Sequence, residues 1–153
     1  MDNMIRLEFI SLSQNEAFAR AAAAAFIAPL DPTIEELADV RTAVSEAVTN
    51  AIVHGYGKSL GIVSMQLKLK DNLLTITVED EGCGIEDVAL AMQPFYSTGS
   101  SLERSGMGFA VMQAFMDSLK VESEKGVGTK VTMEKRFLGN GDDGDLDEHH
   151  ADR

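Results

Sequence analysis

The chain has 153 residues, of which 44% are hydrophobic and 25% charged, and its formal net charge is −12. This size suits one ordinary globular domain, and the acidic balance argues against binding to the nucleic-acid backbone, which requires a surplus of Lys and Arg. With a single cysteine the chain forms no internal disulfide, and its longest apolar run is too short to span a bilayer, so we expect a cytoplasmic protein.

The first predicted elements are a strand and a helix. Residues 5–12 have the composition of a strand. Residues 13–16 form a capping box, in which the hydroxyl of Ser13 and the carboxylate of Glu16 would each satisfy a free backbone N–H. We expect an alanine-rich helix to follow, as far as about Leu30.

A long second helix is predicted from Thr33 to about His54. Thr33 and Glu36 form another capping box, and the glycines within residues 55–57 end the helix. Apolar residues recur along one arc of this helix and should face the core: Leu37, Val40, Val44, Val48 and Ala51.

The second half of the chain predicts four strands and two helices. Residues 63–70 and 74–79 alternate between apolar and polar side chains, which predicts an antiparallel hairpin with one buried face. The remaining predicted elements are a short helix at 86–92, a helix at 106–119 and strands at 120–123 and 129–136. Together they indicate an α/β fold, a two-layer sandwich with a mixed, mostly antiparallel sheet and helices on one face.

One domain should cover residues 1–137, because no internal repeat or linker divides them. Residues 138–153 are strongly acidic. They have too little apolar surface to offset the entropy lost on ordering, so we expect a disordered tail.

A polar stripe on the second helix is the first candidate site. Glu46, Asn50 and His54 follow one another at intervals of four residues, away from the core arc. A carboxylate, a carboxamide and an imidazole in a row can activate a hydroxyl and hold a hard cation. The spacing alone leaves a merely solvated helix face as the alternative.

Asp80 is the second candidate, because it follows the alternation of its strand and should point to the same side as the buried residues. An inward carboxylate needs hydrogen-bond donors. Those donors belong either to the glycine turn that follows, in which case Asp80 is structural, or to a ligand such as the exocyclic amine of adenine. Gly82 and Gly84 would let the backbone approach that base closely.

The third candidate is the glycine-containing turn at residues 105–109, where a loop becomes a helix. Free N–H groups at a helix N-terminus favour a phosphate, although a lone Gly-x-Gly is often only a turn. The polar loop at residues 97–104 precedes it and could fold over a nucleotide as a lid, with Arg104 supplying a positive charge.

Four motifs in this order resemble the GHKL ATPase/kinase superfamily. Residues 46–55 are similar to its N-box, 80–85 to its first glycine box, 106–108 to its second and 126–129 to its GT element. The resemblance implies a Bergerat-type ATP-binding fold. Within the superfamily, residues 44–52 and 103–109 are most similar to the anti-sigma kinases of endospore-forming bacteria.

The resemblance implies roles for individual residues. Glu46 would be the general base, Asn50 would hold Mg²⁺ on the phosphates of ATP, Asp80 would accept from adenine and Thr129 would support Asp80. The other nucleotide-binding residues that it implies are His54, Gly82, Gly84, Ser105, Gly106, Met107 and Gly108.

Members of that family are homodimers that inhibit an RNA polymerase sigma factor and phosphorylate an anti-anti-sigma protein on serine. The resemblance places partner contacts at Arg20, Glu103 and Arg104. The chain departs from it at Gly99, where relatives often have Lys, and in a shorter stretch after Tyr56.

Three other interpretations remain open at this point. They are the stress-response branch of the same family, the ATPase domain of a histidine kinase and a module that binds ATP and its partner without turnover. We also expect Glu46 to lie in the nucleotide cleft and Arg20 on a separate surface. An intrahelical Glu16–Arg20 pair is the alternative for Arg20.

Overall fold

The computed structural model describes residues 2–93 and 108–138. The predicted lid at residues 97–104, with Gly99, Glu103 and Arg104, lies outside these ranges. So do Ser105, Gly106 and Met107 of the predicted glycine turn and residues 139–153 of the predicted tail. The described helices and strands are β1 (Asn3–Ile10), α1 (Gln14–Ile27), a 3₁₀ turn (Ala28–Leu30), α2 (Ile34–Thr49), a π-helical turn (Asn50–Tyr56), β2 (Ile62–Lys70), β3 (Leu73–Asp80), α3 (Val88–Ala91), α4 (Gly108–Phe115), β4 (Ser118–Glu124) and β5 (Gly128–Arg136).

The five described strands form one sheet in the order β1-β2-β3-β5-β4. Every neighbouring pair among them is antiparallel, so the expected mixed sheet is replaced by a purely antiparallel one. The reason is the crossover through α4, which places β4 at the edge of the sheet. The next strand, β5, then runs back between β4 and β3 and is antiparallel to both. The two-layer α/β sandwich itself is confirmed.

The core lies between one face of the sheet and the helices. Alternate residues of β2 and β3 point into it, and α2 supplies the facing apolar arc as the sequence predicts. Its fully buried residues include Val40, Val44, Val48, Val63, Met65, Leu67, Leu74 and Ile76. No helix of the described ranges is long and apolar enough to cross a membrane.

The starts of the two long helices differ in how they are capped. Thr33 and Glu36 form the predicted capping box, with N···O distances of 2.9 and 3.0 Å. The box predicted at the start of α1 is wrong, because Ser13 makes no side-chain cap hydrogen bond there. The carboxylate of Glu16 accepts instead from the hydroxyl of Ser45 on α2. A tertiary contact between the two helices therefore replaces a local cap.

The C-terminal end of α2 widens into the π-helical turn. The N–H of Gly57 donates to the carbonyl oxygen of Ile52, five residues back, at 3.0 Å, and Gly57 has a φ of 60°. The helical segment therefore ends where the glycines predict, but with a wider last turn. Single π-helical turns are rare, and they occur frequently at functional sites.

Candidate functional site

A cavity of about 540 Å³ opens between the π-helical turn, the loop after β3 and the start of α4. Its walls include apolar residues such as Val78 and Phe109 beside a few polar groups, which is the usual composition of a small-molecule site. The structure brings together at this cavity six residues that the sequence predicts: Asn50, His54, Asp80, Gly84, Gly108 and Thr129.

Asp80 is buried at the end of β3, with 9% of its surface exposed. One carboxylate oxygen accepts from the N–H of Gly82 at 2.9 Å. Burial raises the pKa of Asp80, and the backbone N–H groups of Gly82 and Thr129 offset part of that rise. The predicted inward orientation is confirmed, and the carboxyl group lines the cavity as a hydrogen-bond acceptor.

Two glycines allow the backbone to close around Asp80. A Cβ on Gly55 would lie 2.7 Å from a carboxylate oxygen of Asp80, and a Cβ on Gly82 would lie 2.0 Å from the carbonyl oxygen of Gly55. That same carbonyl accepts from the N–H of Cys83 at 2.8 Å. The loop after β3 is thus packed directly on the π-helical turn, at a distance that only glycine permits.

Asn50 opens the π-helical turn and lines the cavity. Its amide nitrogen is buried and has no hydrogen-bond partner within the described residues. A buried donor without an acceptor is costly, so this group fits a ligand that brings one, such as a phosphate oxygen. The oxygen of the same amide is of the type that Mg²⁺ accepts. Asn50 therefore fits the role of holding a metal–phosphate group.

A charged pair at the cavity wall was not predicted from the sequence. Lys125, in the turn between β4 and β5, lies 3.3 Å from Glu86 in the loop after β3, and both line the cavity. Both side chains are mostly exposed, so the pair adds little stability. Lys125 could have been found from its position, because it directly precedes Gly126, the first residue of the predicted GT element.

Glu46 does not line the large cavity in the described structure. It lines a second cavity of about 320 Å³ together with Arg20, Arg41 and Ser45. The expectation that Glu46 and Arg20 occupy separate surfaces is therefore wrong. The neighbouring Ser45 bonds to Glu16 of α1, so this part of α2 faces α1, where Arg20 lies.

Arg20 also makes the intrahelical contact that was the alternative for it. Its guanidinium lies 3.5 Å from the carboxylate of Glu16, one turn earlier on α1. Because Glu16 also accepts from Ser45, the pair is anchored to α2. Arg20 is consequently held at the wall of the second cavity, beside Glu46.

The fold and the cavity define an ATPase domain of the histidine kinase-like class, and residues 10–135 match the family model of the "Histidine kinase-like ATPase domain". An "Anti-sigma F factor" of Clostridium kluyveri is 58% identical over 136 residues, which cover 89% of this chain and 96% of that protein. One of Caldanaerobacter subterraneus subsp. tengcongensis is 59% identical over 138 residues, covering 90% and 96%. The chain belongs to the anti-sigma F factor family.

Solved structures support the fold. The RsbU and RsbW domains of Rv1364c from Mycobacterium tuberculosis superpose with a TM-score of 0.65 at 21% identity, covering 88% of this chain. ShkA in complex with AMPPNP gives 0.54 at 17% identity, covering 81%. The chain spans 32% and 30% of the length of those two proteins, respectively.

Proposed function

We propose that this chain is an anti-sigma factor that binds and inhibits a sporulation sigma factor and that, using ATP, phosphorylates an anti-anti-sigma protein on serine. The observation that carries the proposal is the placement of two side chains one turn apart on the same helical segment. Asn50 lines the large cavity, and Glu46 lines the adjacent one with Arg20. A nucleotide in the first cavity and a protein partner at the second would meet along α2.

The large cavity suits ATP. Asp80 offers a buried acceptor for the exocyclic amine of adenine, and the glycines at 55 and 82 let the backbone lie close to that end. Asn50, which also lines the cavity, would hold Mg²⁺, which supplies charge neutralisation on the phosphates when it is bound. His54 and Gly108 also line this cavity.

At the second cavity, Glu46 would act as the general base. The serine hydroxyl of the partner attacks the γ-phosphorus, the bond to the leaving ADP oxygen breaks and the carboxylate of Glu46 takes the hydroxyl proton. Glu46 is half-buried on a rigid helix, which limits its movement during this transfer. Positioning of this kind is the principal contribution of a kinase to phosphate transfer.

The proposal extends to the partners. Arg20 would contact the sigma factor, with Glu103 and Arg104 in the partner-facing segment, and the protein would act as a cytoplasmic homodimer. The family membership supports this assembly. Residues 1–137 would form the functional unit.

One incubation tests the proposed function. The protein is mixed with γ-labelled ATP, Mg²⁺ and the anti-anti-sigma partner, and the labelled product is treated with acid. Acid-stable label on a serine of the partner supports the kinase, whereas acid-labile label on histidine would favour the histidine kinase alternative. Bound ATP without transfer would reduce the protein to a sequestering module. Parallel capture of sporulation and stress-response sigma factors distinguishes the two branches.

The single cysteine gives a direct test of where the nucleotide lies. Cys83 is exposed at the cavity wall, and its thiol lies 2.9 Å from the carbonyl oxygen of His54. ATP at ten times its Kd should slow alkylation of Cys83 by N-ethylmaleimide by about tenfold, because only the free protein reacts. Mass spectrometry measures the rate. The urea-unfolded protein is the control, and an unchanged rate in the folded protein would place ATP elsewhere.

Arg20→Ala should weaken sigma-factor binding by about 2 kcal/mol, as buried interface arginines do, and leave ATP affinity unchanged. Titration with the sporulation sigma factor measures the first effect and calorimetry the second. Arg6→Ala is the matched control, because Arg6 pairs with Glu8 on the exposed strand β1. Undiminished sigma binding together with a lower melting temperature would assign Arg20 to support of the α1–α2 contact.

A further inference from the structure

Three polar residues form a row across the sheet at the base-binding end of the large cavity. Ser123 on β4 pairs with Thr129 on β5, and Thr129 pairs with Asp80 on β3. All three have the parity of the core-facing residues on their strands. Ser123 therefore lies one strand beyond the residues that line the cavity, on the same face of the sheet.

The hydroxyl of Ser123 makes three contacts. It lies 2.7 Å from the N–H of Ile85, 2.9 Å from the carbonyl oxygen of Gly128 and 2.8 Å from the hydroxyl oxygen of Thr129. An N–H can only donate and a carbonyl oxygen can only accept. The single proton of Ser123 must therefore go to Gly128, and the proton of Thr129 must go to Ser123.

This arrangement fixes what Thr129 presents to the cavity. With its proton directed at Ser123, the hydroxyl oxygen of Thr129 has only lone pairs left for a ligand. We propose that Ser123 is a positioning residue that makes Thr129, like Asp80, a hydrogen-bond acceptor towards the base and so selects a base with an exocyclic amine. This inference rests on the proposed binding of ATP at Asp80.

The chemistry of the base makes the proton direction matter. Adenine presents an amine, which donates to Asp80 and finds an acceptor at Thr129. Hypoxanthine has a carbonyl oxygen at that position, with a proton on the neighbouring ring nitrogen N1, so its carbonyl oxygen would face two acceptors. A buried acceptor without a donor is penalised more strongly than a neutral hydrogen bond is rewarded. The row therefore discriminates against the carbonyl base.

Two contacts besides the Ser123 hydroxyl hold the loop after β3. The N–H of Gly126 donates to the carbonyl oxygen of Cys83 at 2.7 Å. Gly84, at a φ of 71°, is so close to β4 that a Cβ there would lie 2.1 Å from the carbonyl oxygen of Glu124. Removing the hydroxyl of Ser123 should therefore free the proton of Thr129 to turn towards the cavity, while these two contacts hold the loop in place.

The test compares the dissociation constants of ATP and inosine triphosphate by calorimetry. In Ser123→Ala the Thr129 hydroxyl can turn and donate to the carbonyl base, so the preference for ATP should shrink by about 2- to 10-fold, the worth of one hydrogen bond. Ser123→Thr restores the hydroxyl and should restore the preference. Ser118→Ala, which removes a 2.9 Å contact to Glu134 elsewhere on the same strand, should have no effect.

The outcomes separate this inference from the proposed function. An unchanged preference in Ser123→Ala, with normal ATP binding by the unaltered chain, overturns the role of Ser123 alone. Absence of ATP binding by the unaltered chain overturns both. If Ser123→Ala fails to fold, Ser123→Cys keeps the shape of the side chain with a larger terminal atom while weakening every hydrogen bond, and the same loss of preference is expected from it. A retained preference there overturns the inference.

Discussion

Glu46→Gln should slow phosphate transfer to the partner's serine by about 10²–10⁴-fold and leave ATP affinity unchanged. Gln keeps the size of the side chain but cannot accept the hydroxyl proton, and general bases contribute rate factors of this magnitude. ATP affinity should persist because Glu46 lines the second cavity and not the nucleotide cavity of the described structure. Single-turnover transfer from labelled ATP and calorimetric titration measure the two quantities.

A matched variant separates chemistry from helix stability. Glu35→Gln changes an exposed carboxylate in the first turn of the same helix, outside the capping box, and should transfer phosphate at the normal rate. A normal rate in Glu46→Gln as well would show that Glu46 is not the base. Loss of ATP affinity in Glu46→Gln would instead move this residue into the nucleotide site.

Asp80→Asn should weaken ATP binding by about 1.5–3 kcal/mol, or about 10- to 150-fold in Kd. The change replaces a charged acceptor by a neutral amide and removes a charge-assisted hydrogen bond to adenine. Calorimetry with ATP and ADP should show the same factor for both, since the loss is at the base and not at the phosphates. An unchanged affinity for both nucleotides would contradict the assignment of Asp80 to adenine.

The same variant should stabilise the ligand-free protein at neutral pH. Burial raises the pKa of Asp80, so the folded state is penalised wherever the carboxyl is ionised, which is above the raised pKa. The penalty falls as the pH drops through the raised value and is gone below the ordinary Asp pKa. The melting temperature of Asp80→Asn should therefore be higher than that of the unaltered chain at neutral pH, and the two melting temperatures should converge in acid. Glu79→Gln, which changes an exposed carboxylate on the same strand, should show no such difference.

The sequence predicts those features that depend on local periodicity. The inward face of β3, and with it Asp80, follows from alternation, and the core arc of α2 follows from helical spacing. The cap at Thr33 is predictable because all its partners lie within four residues. These interactions are local, and their geometry is fixed by the element that contains them.

Features that depend on contacts between distant elements could not be predicted. Glu16 bonds to Ser45, 29 residues away, and not within its own helix cap, because the packing of α1 on α2 brings that hydroxyl within reach. The shared cavity of Glu46 and Arg20 depends on that same packing. The row from Ser123 to Asp80 depends on the register of three strands. Only its Thr129–Asp80 half was expected, from the family resemblance, and Ser123 had no signal in the sequence.

The π-helical turn has a consequence for insertions and deletions. Asn50–Tyr56 holds more residues per turn than an α-helix does, and this brings Gly55 against Asp80 and Gly82. Deleting one residue there would restore α-helical geometry. It would also rotate the residues after the deletion by about 100° around the helix axis. The contact of Gly55 with Asp80 and Gly82 would then be lost, even if Gly55 itself were kept. In this segment the number of residues is therefore as strictly constrained as their identity.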